Sequence, residues 1–188
     1  MLKSFFAFFI CLSFLVGCST DAPVSSNQLQ EETPTLNKVT SSTSDVSLIA
    51  DPTVVVGSSK IVRNKNGVNV TVNTSGLEPG SAVTIWLVIF NNPGTPGPPD
   101  DVIYGAGNVV GGNGTAHFAA HLNEGDSGGS NFPQPSPGLI DAETAEIHIV
   151  VRSHGPAIPG MIPEQIHTFE GDCDPNVCEN LQFAIHQP

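Results

Sequence analysis

Glycine and proline punctuate this sequence too densely for a helical fold. The 188 residues hold 19 Gly and 16 Pro. Glycine weakens a helix and proline breaks one, so the stretches left between them suit short strands joined by turns. The punctuation is clustered in three loops, Asn91–Asp101 (NNPGTPGPPDD), Gly111–Gly114 and Asn123–Gly138. Strand-like runs recur between them. Lys60–Asn64 and Val68–Thr74 flank Lys65-Asn66-Gly67, and Asn-Gly is a strong hairpin signal. Val68, Val70 and Val72 alternate with Asn69, Thr71 and Asn73, the period-two pattern of a strand with one buried face. Ala82–Phe90 (AVTIWLVIF) is apolar on both faces and predicts a central strand covered on both sides. Val102–Val110 and Thr115–Leu122 flank Gly111-Gly112-Asn113-Gly114 as a second hairpin, Ala145–Arg152 alternates, and Asn180–His186 closes the chain. Leu48–Val56, interrupted by Asp51-Pro52, is an edge strand only in the alternative reading, an N-terminal arm packed on the domain. The expectation is an all-β fold, an antiparallel β-sandwich of about seven strands, immunoglobulin-like in its strand spacing.

Charge narrows the partners. Six Lys and Arg stand against 18 Asp and Glu, a formal net charge of -12. From Asn66 onward Arg152 is the one basic residue of the sequence. A phosphate backbone would be repelled, so nucleic acid is excluded as a partner.

The first eighteen residues, MLKSFFAFFICLSFLVGC, carry Lys3 and then an apolar run from Phe5 to Val16. As a helix that run spans roughly 18 Å, short of the ~30 Å core of a bilayer, so it is an export leader and not a spanning segment. It ends in Leu15-Val16-Gly17-Cys18, which resembles the lipobox of bacterial lipoproteins. The resemblance implies cleavage after residue 17 and lipid attachment at Cys18, with diacylglycerol on the sulfur and an acyl chain, such as palmitate, on the new N-terminus. Ser19 in place of Asp resembles the signal for the outer membrane in Gram-negative cells. The implied location is the cell envelope, with the membrane as a partner through the lipid anchor. Residues 18–47 are rich in Ser, Thr, Gln and Asn and lack aromatics, the composition of a flexible tether. Residues 48–188 then form a single domain.

Cys173 and Cys178 remain in that domain, in GDCDPNVCEN. In an oxidising compartment such a pair forms a disulfide, here closing one C-terminal loop. A metal-binding thiol pair and a redox dithiol are the rivals, although redox pairs are normally spaced by two residues and open a helix.

Several motifs resemble catalytic or metal sites. Gly125-Asp126-Ser127-Gly128-Gly129 matches the sequence around the nucleophile of trypsin-like proteases, but only five residues separate His121 from Ser127 and no second barrel fits. His117-Phe118-Ala119-Ala120-His121 has zinc-protease spacing without the glutamate, and on a strand the two imidazoles stand ~13 Å apart. Asp172, Asp174 and Asn176 open like a calcium loop that lacks its glycine and final glutamate. Three Asn-x-Ser/Thr sequons, at Asn69, Asn73 and Asn113, read as polar positions on outward strand faces.

Ala145–Gln165 (AEIHIVVRSHGPAIPGMIPEQ), with Leu77–Gly80 and Thr84–Phe90, resembles an uncharacterised family of exported bacterial β-sandwich proteins. The Ala-Glu-Ile-His … Ser-His-Gly-Pro-Ala portion is similar to the chordin-type repeat (CHRD) domain, with Val150–His154 inserted between its halves. Neither resemblance implies a catalytic residue or a cofactor. Read physically, His148 and Arg152 share one strand face, His154 begins the loop that leaves it, and Trp86 lies on the sheet face away from the main core. These four residues, Trp86, His148, Arg152 and His154, form the candidate ligand surface. The alternative is that Pro-rich loops 91–101 and 153–165 cover it. The reading is a lipid-anchored binding or structural module for a protein or small-molecule ligand. Its rivals are an envelope protein binding Cu, Zn or Ca through His148 and His154, aided by His167 or His186, and a hydrolase using Asp100, Asp101, Glu143 or Glu146.

Overall fold

The structure is a computed structural model and describes residues 38–128, 136–169 and 178–188. Eight strands run in chain order: β1 (Thr40–Leu48), β2 (Val55–Asn64), β3 (Gly67–Thr74), β4 (Ser81–Phe90), β5 (Asp101–Val109), β6 (Ala116–Asn123), β7 (Glu146–Pro156) and β8 (Glu179–His186), with a short helix, α1 (Ile162–Ile166), after β7. All pairings are antiparallel and lie in one sheet of order β5-β4-β7-β8-β1-β2-β3-β6. The all-β expectation holds, with eight strands rather than seven. The sheet curls until its two edges, β5 and β6, meet; Asn108 Nδ2 donates to the His117 carbonyl across the seam at 3.1 Å. Among the described residues no helix is long and apolar enough to cross a membrane.

One face of the curled sheet forms the core. Val83, Ile85, Leu87 and Ile89 of β4 join Val68, Val70 and Val72 of β3, Phe118 and Leu122 of β6, and Ile147, Ile149 and Val151 of β7. Period-two patterning puts them there. The Lys65-Asn66 hairpin forms as its sequence suggests, with Asn64 paired to Gly67. Gly67 sits at φ 153, and a Cβ there would stand 2.1 Å from the Leu122 carbonyl oxygen, so the close approach of β6 requires glycine.

Two expectations are corrected. Part of the segment read as a tether is a strand of the sheet: Thr40–Leu48 is β1, held between β8 and β2. Its inward positions, Thr40, Ser42, Ser44 and Val46, are mostly polar, so no apolar alternation marked it. Leu48–Val56 is accordingly not one edge strand: Leu48 ends β1, Val55 and Val56 open β2, and residues 49–54 connect them. Asp51 closes that connection, accepting from Thr53 N at 3.1 Å and Thr53 Oγ1 at 2.7 Å. The second correction concerns β5 and β6. Gly111–Gly114 does turn the chain, yet β5 pairs with β4 and β6 with β3, so no ladder joins the two strands of the expected hairpin.

Candidate functional site

The face of β4 opposite the core carries Thr84, Trp86, Val88 and Phe90, as expected, and β7 places Arg152, Val150, His148 and Glu146 directly beside them. This is the face of the candidate ligand surface, and the structure covers much of it. Trp86 is 1% exposed and His154 0%. Phe169 and Tyr104 meet the indole edge-to-face at 5.0 and 5.7 Å between ring centroids. The cover is the segment after β7. Gln165 of α1 donates to the carbonyls of His154 and Pro156 and accepts from Ile158 N, pinning this segment to the strand it leaves. Trp86 and His154 are therefore interior groups, a correction to the ligand surface read from sequence. His148 and Arg152 stay half-buried on the same face. His148 Nε2 bonds to Glu146, and its ring lies 4.8 Å from that of Phe90. Arg152 donates to Asn180 Oδ1 at 2.5 Å and stacks over Phe169 at 4.7 Å.

Beneath the cover the polar groups form one chain. Trp86 Nε1 donates to Thr84 Oγ1 at 2.7 Å, which leaves the threonine proton for His154 Nε2 at 2.9 Å. His154 Nδ1 then faces Cys178 Sγ at 3.4 Å. Burial, assisted by the charge of Arg152, pushes the His154 pKa down to about 4, so the imidazole is neutral at neutral pH. A neutral ring satisfied at both nitrogens is a structural group and no free metal ligand. Among the described residues no cluster of three or more His, Cys, Asp or Glu could hold a metal ion. Cys173 and the calcium-like Asp172, Asp174 and Asn176 lie outside the described residues, as do Cys18 and the leader.

The carboxylates considered for hydrolysis do not converge. Asp100 accepts from Asn91 N at 2.7 Å. Asp101 is fully buried and accepts from Val102 N and Gly128 N. Glu146 is held below the usual carboxylate range, chiefly by its hydrogen bond to His148. Glu143 lies at a different pocket, beside Arg63. The His117/His121 pair points outward as the alternation of β6 demands, and each ring bonds to the asparagine opposite, Asn73 or Asn69.

The open cleft lies at the seam. Because β5 and β6 share no ladder, a cavity of about 410 Å3 opens between them. Tyr104 of β5, His121 of β6, Asp126, Ser127 and Gly128 of the following turn, and His167 after α1 line it, with Trp86 at its edge. The His167 ring packs against Tyr104, tilted by 41° with 4.6 Å between ring centroids, and its Nδ1 donates to the Pro163 carbonyl at 2.6 Å. Burial pushes the Tyr104 phenol up, so it is a neutral hydrogen-bonding group. Asp126 accepts from Asn123 N and Nδ2, and His121 is clamped between the amides of Asn69 and Asn123. The described part of the protease-like stretch, Gly125–Gly128, thus reaches the cleft after a turn, with the Asp126 carboxylate and the nearby imidazole engaged by amides. No alternation or spacing signalled this cleft, because its residues come from four separate segments. No family model, curated protein or solved structure matches the chain.

Proposed function

We propose that this chain is a lipid-anchored, extracytoplasmic binding protein of the bacterial envelope, and that the cleft between β5 and β6 receives a small, hydroxyl-rich ligand. The observation that carries the binding reading is the cleft itself. The Tyr104–His167 ring pair offers an aromatic wall, and Asp126 and Ser127 supply polar groups beside it. That mixture suits a ring with one apolar face and hydroxyls at its edge. The anchor reading rests on the order Lys3, apolar run, Leu15-Val16-Gly17-Cys18. A Cys173–Cys178 disulfide belongs to the same reading, since export exposes both thiols to oxidant. Of the carboxylates considered for hydrolysis, Asp100, Asp101 and Glu146 are engaged in structural bonds and Glu143 lies at a separate pocket, which favours binding over catalysis.

Two experiments test this. Trp86 is the only tryptophan of the sequence and borders the cleft, so its emission reports occupancy. N-acetylglucosamine and its disaccharide should give a saturable change that Tyr104→Ala and His167→Ala abolish; a flat response to both sugars removes the hydroxylated-ring reading. Labelling with radioactive palmitate in a bacterial host should mark the wild type and spare Cys18→Ala. Equal labelling of the two overturns the anchor.

A further inference from the structure

The polar chain beneath the cover ends on a sulfur, and its direction is fixed. Thr84 is fully buried, accepts from Trp86 Nε1, and has His154 Nε2 as the acceptor for its own proton. The ring proton of the neutral imidazole is therefore on Nδ1, which donates to Cys178 Sγ at 3.4 Å. A sulfur in that position accepts a hydrogen bond. A thiolate or a disulfide sulfur does so directly, whereas a thiol must turn its own proton elsewhere. The donor ring is fully buried, so water does not compete for it.

Charge acts in the same sense. The charge of Arg152 assists burial in keeping that imidazole neutral, and the guanidinium bonds to Asn180, two residues beyond Cys178. A cation and an N–H donor both favour a thiolate. Glu179, the next residue, opposes them from an exposed position where water screens it. Cys173 has the opposite setting in the sequence itself, between Asp172 and Asp174. Like charges on both sides disfavour its thiolate. Cys178 is half-buried, so a small reagent can reach it from the open side.

We propose that Cys178 is the reactive sulfur of this chain, held as a thiolate by the His154 Nδ1–H and the Arg152 charge, and that it is the leaving group when a small thiol opens its disulfide. The second half rests on the Cys173–Cys178 disulfide proposed above; the first does not. In that step the thiolate of a monothiol such as glutathione attacks Cys173 Sγ and bonds to it. The Cys173–Cys178 bond breaks, and its electron pair passes to Cys178 Sγ, where the imidazole N–H stabilises it. The sulfur that leaves faster is the one with the lower pKa, which sets this direction. A second glutathione thiolate then removes the first as glutathione disulfide. Cys173 takes one of the two protons that the glutathione thiols gave up, and the other goes to solvent. Two glutathiones are oxidised and the protein disulfide is reduced.

Full-length protein is reduced with dithiothreitol, freed of it, and alkylated with iodoacetamide between about pH 5 and pH 10. Fragment-ion mass spectrometry reads each cysteine separately, so Cys173 is the internal reference. The midpoint of the Cys178 rate profile should fall at least about one pH unit below that of Cys173. His154→Gln and Arg152→Met should each raise it and leave the Cys173 midpoint in place. Arg152 is half-buried, so Arg152→Met decides the matter if His154→Gln does not fold. Equal midpoints, a lower midpoint at Cys173, or a Cys178 midpoint indifferent to Arg152→Met each overturn the proposal. Alkylation of Cys178 before reduction overturns the disulfide and the leaving-group step with it, and the midpoints still decide the thiolate.

Discussion

Two histidines are buried in this body, each beside an arginine, and the two pairs are accommodated differently. His154 and His186 both have pKa values pushed down to about 4 by burial, assisted by Arg152 and Arg63 respectively. His154 sits under a cover. Thr84 and Cys178 meet its nitrogens, Gln165 takes its carbonyl, and Arg152 lies half-buried over Phe169 with Asn180 as its partner. His186 sits among strands. Ser42 and Ser59 meet its nitrogens, and Arg63 is fully interior, caged by the carbonyls of Ala142, Ala145 and His186. Both imidazoles are met at both nitrogens, and the arginines differ in burial: Arg63 is interior among backbone carbonyls, while Arg152 is half-buried over an aromatic ring.

The largest way to break the covered pair is to remove what the cover rests on. Trp86→Ala deletes a fully buried indole, the contacts of Phe169 and Tyr104, and the donor that orients Thr84 toward His154. Truncations of this kind cost about 3–5 kcal/mol. Urea denaturation should show that loss, and the His154 resonances should move while those of His186 stay. A loss below about 1 kcal/mol would mean that the cover stands without the indole.

Acid should act on both pairs together. Each folded-state pKa, about 4, lies below the ordinary imidazole value of 6.5, so the unfolded chain binds protons more readily. The stability is present above pH 6.5, falls as pH drops from 6.5 toward 4, and levels below that. Each histidine accounts for up to about 3 kcal/mol of that loss. Denaturation midpoints at pH 7 and pH 4.5 check the sum. The comparison sharpens with Arg63→Met and Arg152→Met, which remove one neighbouring charge each. The first should raise the NMR titration midpoint of His186 only, and the second that of His154 only. If either substitution moved both midpoints, the two networks would not be separate.

These differences also explain what the sequence made legible. The strands with inward valine or isoleucine, β3, β4 and β7, and the alternation of β6 were plain because apolar side chains at period two mark a buried face. The second covered face of β4 was legible for the same reason. Strand β1 was hidden because it faces His186 with serines, and a Ser/Thr stretch reads as tether unless its buried partner is known. Arg63 and His186 stand at strand ends, where polar residues ordinarily meet water. Cover by loop 153–165 was legible only as an alternative, because its helix is five residues long and its anchor is a single glutamine. The β5–β6 cleft was invisible for a topological reason: the turn between the strands was correct, but which neighbour each strand chose is a long-range matter.

The smallest expected effect sets the scale for the others. His148 lies four residues from Arg152 on the face that holds the covered pair, yet it remains part-exposed, with side-chain accessibilities of 26% for His148 and 17% for its partner Glu146. Water screens such a pair, and ordering two side chains offsets much of the attraction. His148→Ala should therefore cost under about 1 kcal/mol at neutral pH, with the difference shrinking further in high salt. It should also let the Glu146 carboxyl rise, because the hydrogen bond from His148 is the main cause of its depression. Parallel denaturation curves at low and high salt measure the first effect, and a carboxyl-resolved NMR titration the second. A salt-insensitive loss above about 2 kcal/mol would place His148 with the buried histidines, and the covered region would then extend along β7 to Phe90.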